Sequence, residues 1–455
     1  WGYDFRPSYL QIAKIREMIP QVPILALTAT ATPEVVDDIQ ERLHFAEKNV
    51  FKMSFERKNL AYVVRNTSNK QGEMVHILQS VKGSAIVYAR SRKRTKEMAE
   101  LLSKKGISAT FYHAGLAPDE KDVRQKAWQA DEVRVMCATN AFGMGIDKPD
   151  VRMVIHIDCP DSLEAYFQEA GRAGRDGEKS YAVLLFDRSD ESKLNKRIDD
   201  TFPPKEMIQD VYEHLAYFYQ IGVGSGCGKT FEFDIDKFCI TYKFFPTKVD
   251  SALRILERSG YLHYEDDPDG KARVMFLLGR NELYILDQLP PTQEAVVTAL
   301  LRSYGSLFVD LTFIDEHLIA RQAELNIQQV YFALKNLAAR HIIKFIPRRK
   351  IPFISYTRDR VDGNKVQIPQ EVWEGRREQY VKRIQSMLQY AKNDEICRSR
   401  QLLAYFGEHN ETKCQQCDVC LAKETEEKEK EFRRKIAEEE IIIEDLKVIE
   451  KRKND

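Results

Sequence analysis

The chain has 455 residues, 43% of them hydrophobic, a length that suits several packed domains. Lys and Arg total 70 and Asp and Glu total 70, so the net charge is zero and any polyanionic partner must be argued from local patches. No apolar run is long and uncharged enough to suggest a membrane span. With Trp1 in place of an initiator methionine and no leader pattern, we read an intracellular, cytoplasmic chain that is an N-terminal truncation.

In chain order, VPILALTA (22–29) reads as a buried strand, and Thr32-Pro33 as the cap and first turn of a helix. SAIVYA (84–89) runs into a helix that stops at Gly106. SATFYH (108–113), VRVMCAT (133–139), MVIHID (153–158) and YAVLLF (181–186) follow, with helical segments between them. Strands separated by helices predict βαβ units, a parallel sheet, and ligands at the carboxyl ends of its strands.

The pattern changes after about residue 190. FPTKVDSALRILERSGYLHYE (245–265) precedes the turn DDPDG and the apolar run RVMFLL, and LNIQQVYFALKNLAARHIIKFIP (325–347) precedes RRKIPFISYTRDR. Each reads as an amphipathic helix followed by a β-hairpin, the outline of a winged helix met twice. A helical segment bearing cysteines then leads into a charged tail.

Two motifs carry the chemistry. QEAGRAGRDG (168–177) sets Arg172 and Arg175 beside glycines near a helix end, where guanidiniums can clamp a phosphate; a surface arginine pair at a glycine turn is the plain alternative. Cys397 with Cys414, Cys417 and Cys420 supplies four thiolates, enough for a tetrahedral, closed, structural zinc, although the same set would also hold an iron–sulfur cluster. Two lookalikes are rejected. VGSGCGKT (223–230) has Val223 where a phosphate loop needs glycine, and reads as a flexible loop. In FIDEHL (313–318) no residue separates Glu316 from His317, and it reads as a helix start.

LTATAT (27–32), YARSR (88–92), YHAGL (112–116), ATNAFGMGIDKPDVR (138–152) and QEAGRAGRDG form an ordered set that resembles motifs III to VI of superfamily 2 helicases, in wording most similar to the RecQ family. WGYDFRPSY (1–9) resembles that family's aromatic-rich loop, and CRSRQLLAYFGE with CQQCDVC resembles its zinc subdomain. The resemblance implies an α/β chain. The end of a first RecA-like domain (1–48) leads into a second RecA-like motor domain (49–195). Two winged-helix modules (196–285 and 286–370), a helical zinc-binding subdomain (371–422) and a charged tail (423–455) complete it.

The resemblance also implies roles. Arg172 and Arg175 are arginine fingers, and Gln168, Gly145 and Asp147 belong to the nucleotide cleft. Trp1, Phe5, Arg6, Thr28, Thr30, Arg90, Ser91, His113, Thr139 and Asn140 lie along the DNA track or cleft. A basic run around the second wing (Lys344, Arg348, Arg349, Lys350, Arg358, Arg360) suggests phosphate contact. The implied activity is ATP- and Mg²⁺-dependent DNA unwinding, 3′→5′, on single-stranded and forked or duplex DNA, with nucleoid association if the source is bacterial. The 455 residues lack a phosphate loop and an Asp-Glu box, so turnover by this chain alone is expected to be negligible. A DNA-binding module without motor activity is the alternative; a transcription regulator would leave the ordered motifs unexplained. The family's usual order places the zinc segment directly after the arginine motif. Here about 190 residues intervene, and which hairpin separates strands is left open.

Overall fold

The computed structural model describes residues 13–436, apart from 29, 46, 144–145, 266–271, 279–288, 306, 309–311, 348–351 and 432. Two compact units divide the chain: residues 1–198 with 378–455, and residues 199–377.

The first unit is built on a six-stranded sheet in the order β1-β6-β5-β2-β4-β3, parallel throughout. Its strands are β1 Leu60–Asn66, β2 Ser84–Tyr88, β3 Ala109–Tyr112, β4 Val135–Ala138, β5 Val151–His156 and β6 Ser180–Phe186. Every predicted strand from 84 onward is present. Before the sheet come α1 (Ala13–Met18) and α2 (Pro33–Arg42), whose Thr32 cap accepts from the Val35 amide. Helices α3 (Lys70–Ser80), α4 (Arg92–Lys104), α5 (Pro118–Gln129), α6 (Leu163–Ala170) and α7 (Arg188–Thr201) lie between or after the strands. Strand residues alternate between two cores. Ile86, Val154 and Leu184 pack with Tyr166 and Trp128 on one face, and Val87, Ile155 and Val183 pack with Met98 and Leu102 on the other. Burial on both faces is what a parallel sheet requires.

VPILALTA is a correction. Its described residues form no strand, and Leu25 and Leu27 are 75% and 84% exposed. An apolar run becomes a buried strand only with a ladder partner, and none of the six strands pairs with it.

Lys70, at the start of α3, is 6% exposed and pairs with Asp190 of α7, itself 3% exposed. Its Nζ also donates to the Ile157 carbonyl at 3.1 Å. Lys70→Ala would leave a buried carboxylate uncompensated, and should destabilise the sheet domain by roughly 3–5 kcal/mol in urea titration. The apolar double variant Lys70→Met with Asp190→Leu should cost far less. Equal costs for the two would show that the charge pair is not the cause.

In the second unit the expected hairpins do not form. Helices α8 (Lys205–Phe218), α9 (Ile235–Tyr242) and α10 (Pro246–Arg258) surround a sheet β7-β12-β8, made of Thr230–Glu232, Phe353–Tyr356 and Leu262–Glu265. Helices α11 (Pro291–Ser303), α12 (Glu316–Gln322) and α13 (Ile327–Ala339) surround a sheet β10-β9-β11, made of Thr312–Phe313, Arg273–Phe276 and Ile343–Ile346. The strand after α10 therefore pairs with β12, some ninety residues later, and the strand after α13 pairs backward with β9. Register explains why. Phe353 opposes Glu265 and Ile346 opposes Arg273, so the connecting stretches 266–272 and 347–352 differ in length by one residue. The outer winged helix thus has a second one inserted in its wing, and in the inner module β9 takes the central position that a strand following β11 would otherwise fill. We propose the module boundaries accordingly: an outer winged helix of 205–265 with 352–370, and an inner one of 272–347.

The last part of the first unit holds most of α14 (Glu374–Lys392) and α15 (Arg398–Tyr405). Their Ile384, Met387, Tyr390, Leu402 and Phe406 join the core beneath α6. Residues 418–431 are helical. Among the described residues no helix is long and apolar enough to cross a membrane.

Candidate functional site

Helix α6 is capped by Ser162, whose Oγ accepts from the Ala165 amide, and ends at Gly171. The next residues turn sharply, with Gly174 at φ +62°, and any Cβ there would meet Asn59 Nδ2 at 2.5 Å. This turn presents the two arginines differently. Arg172 is 8% exposed, and its Nη1 donates to the Gly143 carbonyl at 2.5 Å, while Tyr88 donates its hydroxyl proton to the neighbouring Phe142 carbonyl. Arg175 is 39% exposed; its Nη1 reaches Asp147 at 2.7 Å and the Ile146 carbonyl at 3.2 Å. Asp147 is 81% exposed, so the pair is a weak, solvated one that leaves the guanidinium able to change partner. The loop after β4 and the turn after α6 are thus stitched together by both arginines.

Two residues that sequence reasoning missed hold this turn from behind. Arg57 donates to the carbonyls of Gly171 (3.1 Å), Ala173 (2.8 Å) and Gly174 (2.9 Å). Asn59 donates to those of Gly174 (2.7 Å) and Glu178 (2.9 Å). Arg57-Lys58-Asn59 reads as an ordinary polar stretch before β1, and no local signal marks it.

The remaining candidates gather where they are described. Arg90 and Ser91 follow β2, His113 follows β3, and Thr139 and Asn140 follow β4, all at the carboxyl edge of the sheet. Several are already engaged. Arg90 donates to Asp161 at 2.6 Å, and Ser91 caps α4 through the Arg94 amide. Thr139 is buried, Asn140 is exposed and Gln168 lies on α6. His113 is half-buried and stacked on Phe111 at 5.7 Å; burial, then nearby Arg92, lowers its pKa. Thr28 accepts from the Thr30 amide in an exposed segment. Trp1, Phe5, Arg6, Gly145, Arg348, Arg349 and Lys350 lie outside the described residues.

The basic run around the wing needs correction at Arg360. Arg360 is 8% exposed, bonds the Ile221 carbonyl and pairs with Glu213 at 2.5 Å. Arg358 donates to the Gly260 carbonyl at 2.7 Å and stacks on Tyr261 at 4.3 Å. Both brace the outer winged helix, but only Arg360 is buried and committed; Arg358 is exposed. Lys344, on β11, is exposed. The loop 223–230 is tied down, not free. Gly224 and Gly228 donate to the carbonyls of Arg360 and Tyr356, and a strand follows it where a phosphate loop would open a helix. FIDEHL starts α12, with Asp315 accepting from the His317 amide at 2.9 Å.

At the cysteines, all four sulfurs lie within 4.8 Å of one another, compatible with the ~3.8 Å edges of a zinc–thiolate tetrahedron. Cys397 and Cys417 are buried, and Cys414 and Cys420 are half-buried. The Cys414 amide donates to the Cys397 sulfur and the Cys420 amide to the Cys417 sulfur, both at 3.4 Å. The thiols of Cys414 and Cys417 pull the Cys397 pKa far down, while Cys414, donating to Cys397, is pushed up, and burial raises Cys420 to about 11. A dication would compensate all four thiolates at once, so the donor set fits a closed zinc site. Beside it Arg398 pairs with Asp418 at 2.9 Å and donates to the Tyr390 carbonyl, fixing the ligand loop to α14.

Three family models match the chain. They are the helicase conserved C-terminal domain over residues 69–177, the RecQ helicase winged-helix domain of Bacteroidota over 274–347, and the RecQ zinc-binding domain over 358–421. The four-cysteine cluster inside the last match is therefore a structural zinc site. The chain is 44% identical over 234 residues to the RecQ-like DNA helicase blm-1 of Caenorhabditis elegans, covering 49% of this chain and 24% of that one. To the ATP-dependent helicase SGS1 of Saccharomyces cerevisiae it is 46% identical over 189 residues (41% and 13%). To the ATP-dependent DNA helicase RecQ of Bacillus subtilis it is 46% identical over 192 residues (42% and 32%). The matched stretch spans under a third of each relative's length. Two models specific to RecQ helicases, joined to relatives this similar, show that residues 274–347 and 358–421 match RecQ domains and that the matched stretches resemble RecQ-type superfamily 2 helicases.

Proposed function

We propose that these residues form the arginine-bearing half of an ATP-dependent DNA helicase motor, together with its zinc and winged-helix accessory modules. The observation that carries this reading is Arg175, a half-exposed guanidinium on a braced turn, beside the loop after β4 at the carboxyl edge of the sheet. ATP with Mg²⁺ supplies the free energy when bound. Within this chain, Arg175 would meet the terminal phosphate in place of Asp147, and Gln168 and Gly145 would line the cleft. Arg172 ties the turn to Gly143, so movement at one is felt at the other. No stretch of the sequence fits a phosphate loop, so the phosphate cradle must come from another domain, on this polypeptide or on a partner. DNA would run over Arg90, Ser91, His113, Thr139 and Asn140, with the aromatics Trp1 and Phe5 stacking bases, Arg6 pairing with phosphate, and Thr28 and Thr30 alongside. The family's 3′→5′ direction, forked or single-stranded DNA and a chromosome-associated location follow from the same reading.

The test is DNA-stimulated ATP turnover and strand separation by a polypeptide that joins a phosphate-loop domain to these residues, with Arg175→Ala as the control. DNA-dependent turnover that survives Arg175→Ala would overturn the reading. DNA binding with no turnover in the joined polypeptide would favour the second one, a binding module.

For duplex contact, the inner winged helix is the better candidate. Its α13 contains no acidic residue and exposes Gln328, Phe332, Lys335 and Asn336, with Lys344 exposed on β11. By contrast α10 carries Asp250 and Glu257, paired with Arg254 and His263. Replacing Lys335 and Lys344 with alanine should weaken duplex binding and flatten the log K against log salt slope by about 2, near 0.9 per lost phosphate contact. Fluorescence anisotropy across a salt series measures this, and an unchanged slope would remove α13 from the interface.

A further inference from the structure

Segment 54–60 lies between two parts of the first unit that are far apart in sequence. On one side, the residues around the zinc site grip it. Glu408 accepts from the Phe55 amide at 2.9 Å and from Ser54 Oγ, Asn410 reaches Glu56 at 3.3 Å, and Gln416 donates to the carbonyls of Lys58 (2.8 Å) and Leu60 (3.3 Å). Phe406 packs on Phe55 and Phe167, with ring centroids 5.1 and 4.9 Å apart. On the other side, Arg57 and Asn59 make five hydrogen bonds to carbonyls of the turn that carries Arg175. Three of those carbonyls converge on the one Arg57 guanidinium, whose planar fork allows no equivalent grip by an ammonium.

We infer that Arg57 is a positioning residue for the arginine finger, and that the zinc subdomain sets the finger's geometry through segment 54–60. The inference rests on the reading of Arg175 given above. Zinc-site residues more than two hundred positions from the arginine motif thereby bear on the motor step without touching nucleotide. Misplacing a reacting group by about 1 Å can cost on the order of 100-fold in rate. A finger that loses its brace should therefore lower kcat and leave DNA affinity alone.

Two measurements test this. In the chain as it stands, hydrogen exchange of the amides over 171–177 should quicken by at least about tenfold in Arg57→Ala, with the amides of β2 and β5 unchanged. The double variant Glu408→Ala with Gln416→Ala, which leaves all four zinc ligands intact, should do the same to a smaller degree. In the joined polypeptide, Arg57→Ala should lower kcat by about 10- to 100-fold at unchanged DNA Kd, and added guanidinium ion should restore part of it. Unchanged exchange at the turn overturns the inference, and so does quickening spread over the whole sheet, since Arg57 would then be a general structural brace. If Arg57→Ala keeps full kcat while Arg175→Ala loses it, the positioning claim fails and the function stands. If Arg175→Ala also keeps full kcat, the functional reading fails, and the exchange result still decides whether the brace exists.

Discussion

Cys417→Ala is expected to abolish zinc binding and to unfold the ligand loop between Cys397 and Cys420. Cys417 is fully buried, and the apolar cluster at the site consists of Cys397, Cys417 and Val419, with Cys414 and Cys420 packed against it. So small a cluster cannot offset the entropy of ordering about twenty residues at roughly 1–2 kcal/mol each. The metal must make up the difference, and structural zinc contributes an apparent ~10–16 kcal/mol in isolated zinc-finger peptides. Metal analysis should fall from about one zinc per chain to none, and the same loss should follow chelation at neutral pH. The effect should spread, because α14 and α15 place Tyr390, Leu402 and Phe406 in the core against Tyr166 and Phe167 of α6. We therefore expect a lowered thermal midpoint for the sheet domain as well. Zinc retained at full content in Cys417→Ala would refute the four-thiolate site. Iron in the wild-type chain with visible absorbance would replace zinc by a cluster.

What could be read from the sequence divides along local and non-local physics. Strands β2, β4, β5 and β6 were legible because burial on both faces makes each a largely continuous apolar run; β3, half-buried at the sheet edge, was legible from its apolar and aromatic residues. The arginine turn was legible because it is compressed into a few residues, and the cysteine set because three of its four members fall at two-residue spacing after Cys397. VPILALTA failed because an apolar run does not reveal whether a ladder partner exists. The winged helices failed at their hairpins for a related reason. DDPDG is a sound turn signal, but β8 finds its partner in β12, beyond an entire inserted module. Inside that nesting, Arg360 looks like part of a basic patch in a list of residues and turns out to be a buried brace, paired with Glu213. Charge counts cannot separate a solvated arginine from a buried one. Arg57 and Asn59 were invisible because their chemistry lies wholly in carbonyls more than a hundred positions away.

Arg175→Ala is expected to lower DNA-stimulated ATP turnover by about 10³-fold or more in a polypeptide that also carries the phosphate-loop domain, the range seen when an arginine finger is lost. In the role proposed above its signature is a fall in kcat with DNA affinity kept, because a guanidinium that meets the phosphate would not touch the strand. Arg175→Lys should recover little, since a point charge cannot reproduce the planar fork. Arg172 separates the two arginines by experiment. It is buried and turned onto the Gly143 carbonyl, and its Nε has no hydrogen-bond partner among the described residues. Arg172→Ala should therefore cost stability as well as turnover, with a shifted urea midpoint that Arg175→Ala does not show. Gly143→Ala gives an independent reading of the same link. Its added Cβ would fall 2.4 Å from Arg172 Nη2 and force that guanidinium off the carbonyl while the arginine itself remains. If turnover in Gly143→Ala follows Arg172→Ala, the connection between the β4 loop and the arginine turn carries function. If Gly143→Ala is as active as wild type, Arg172 serves packing alone and Arg175 acts as the single finger.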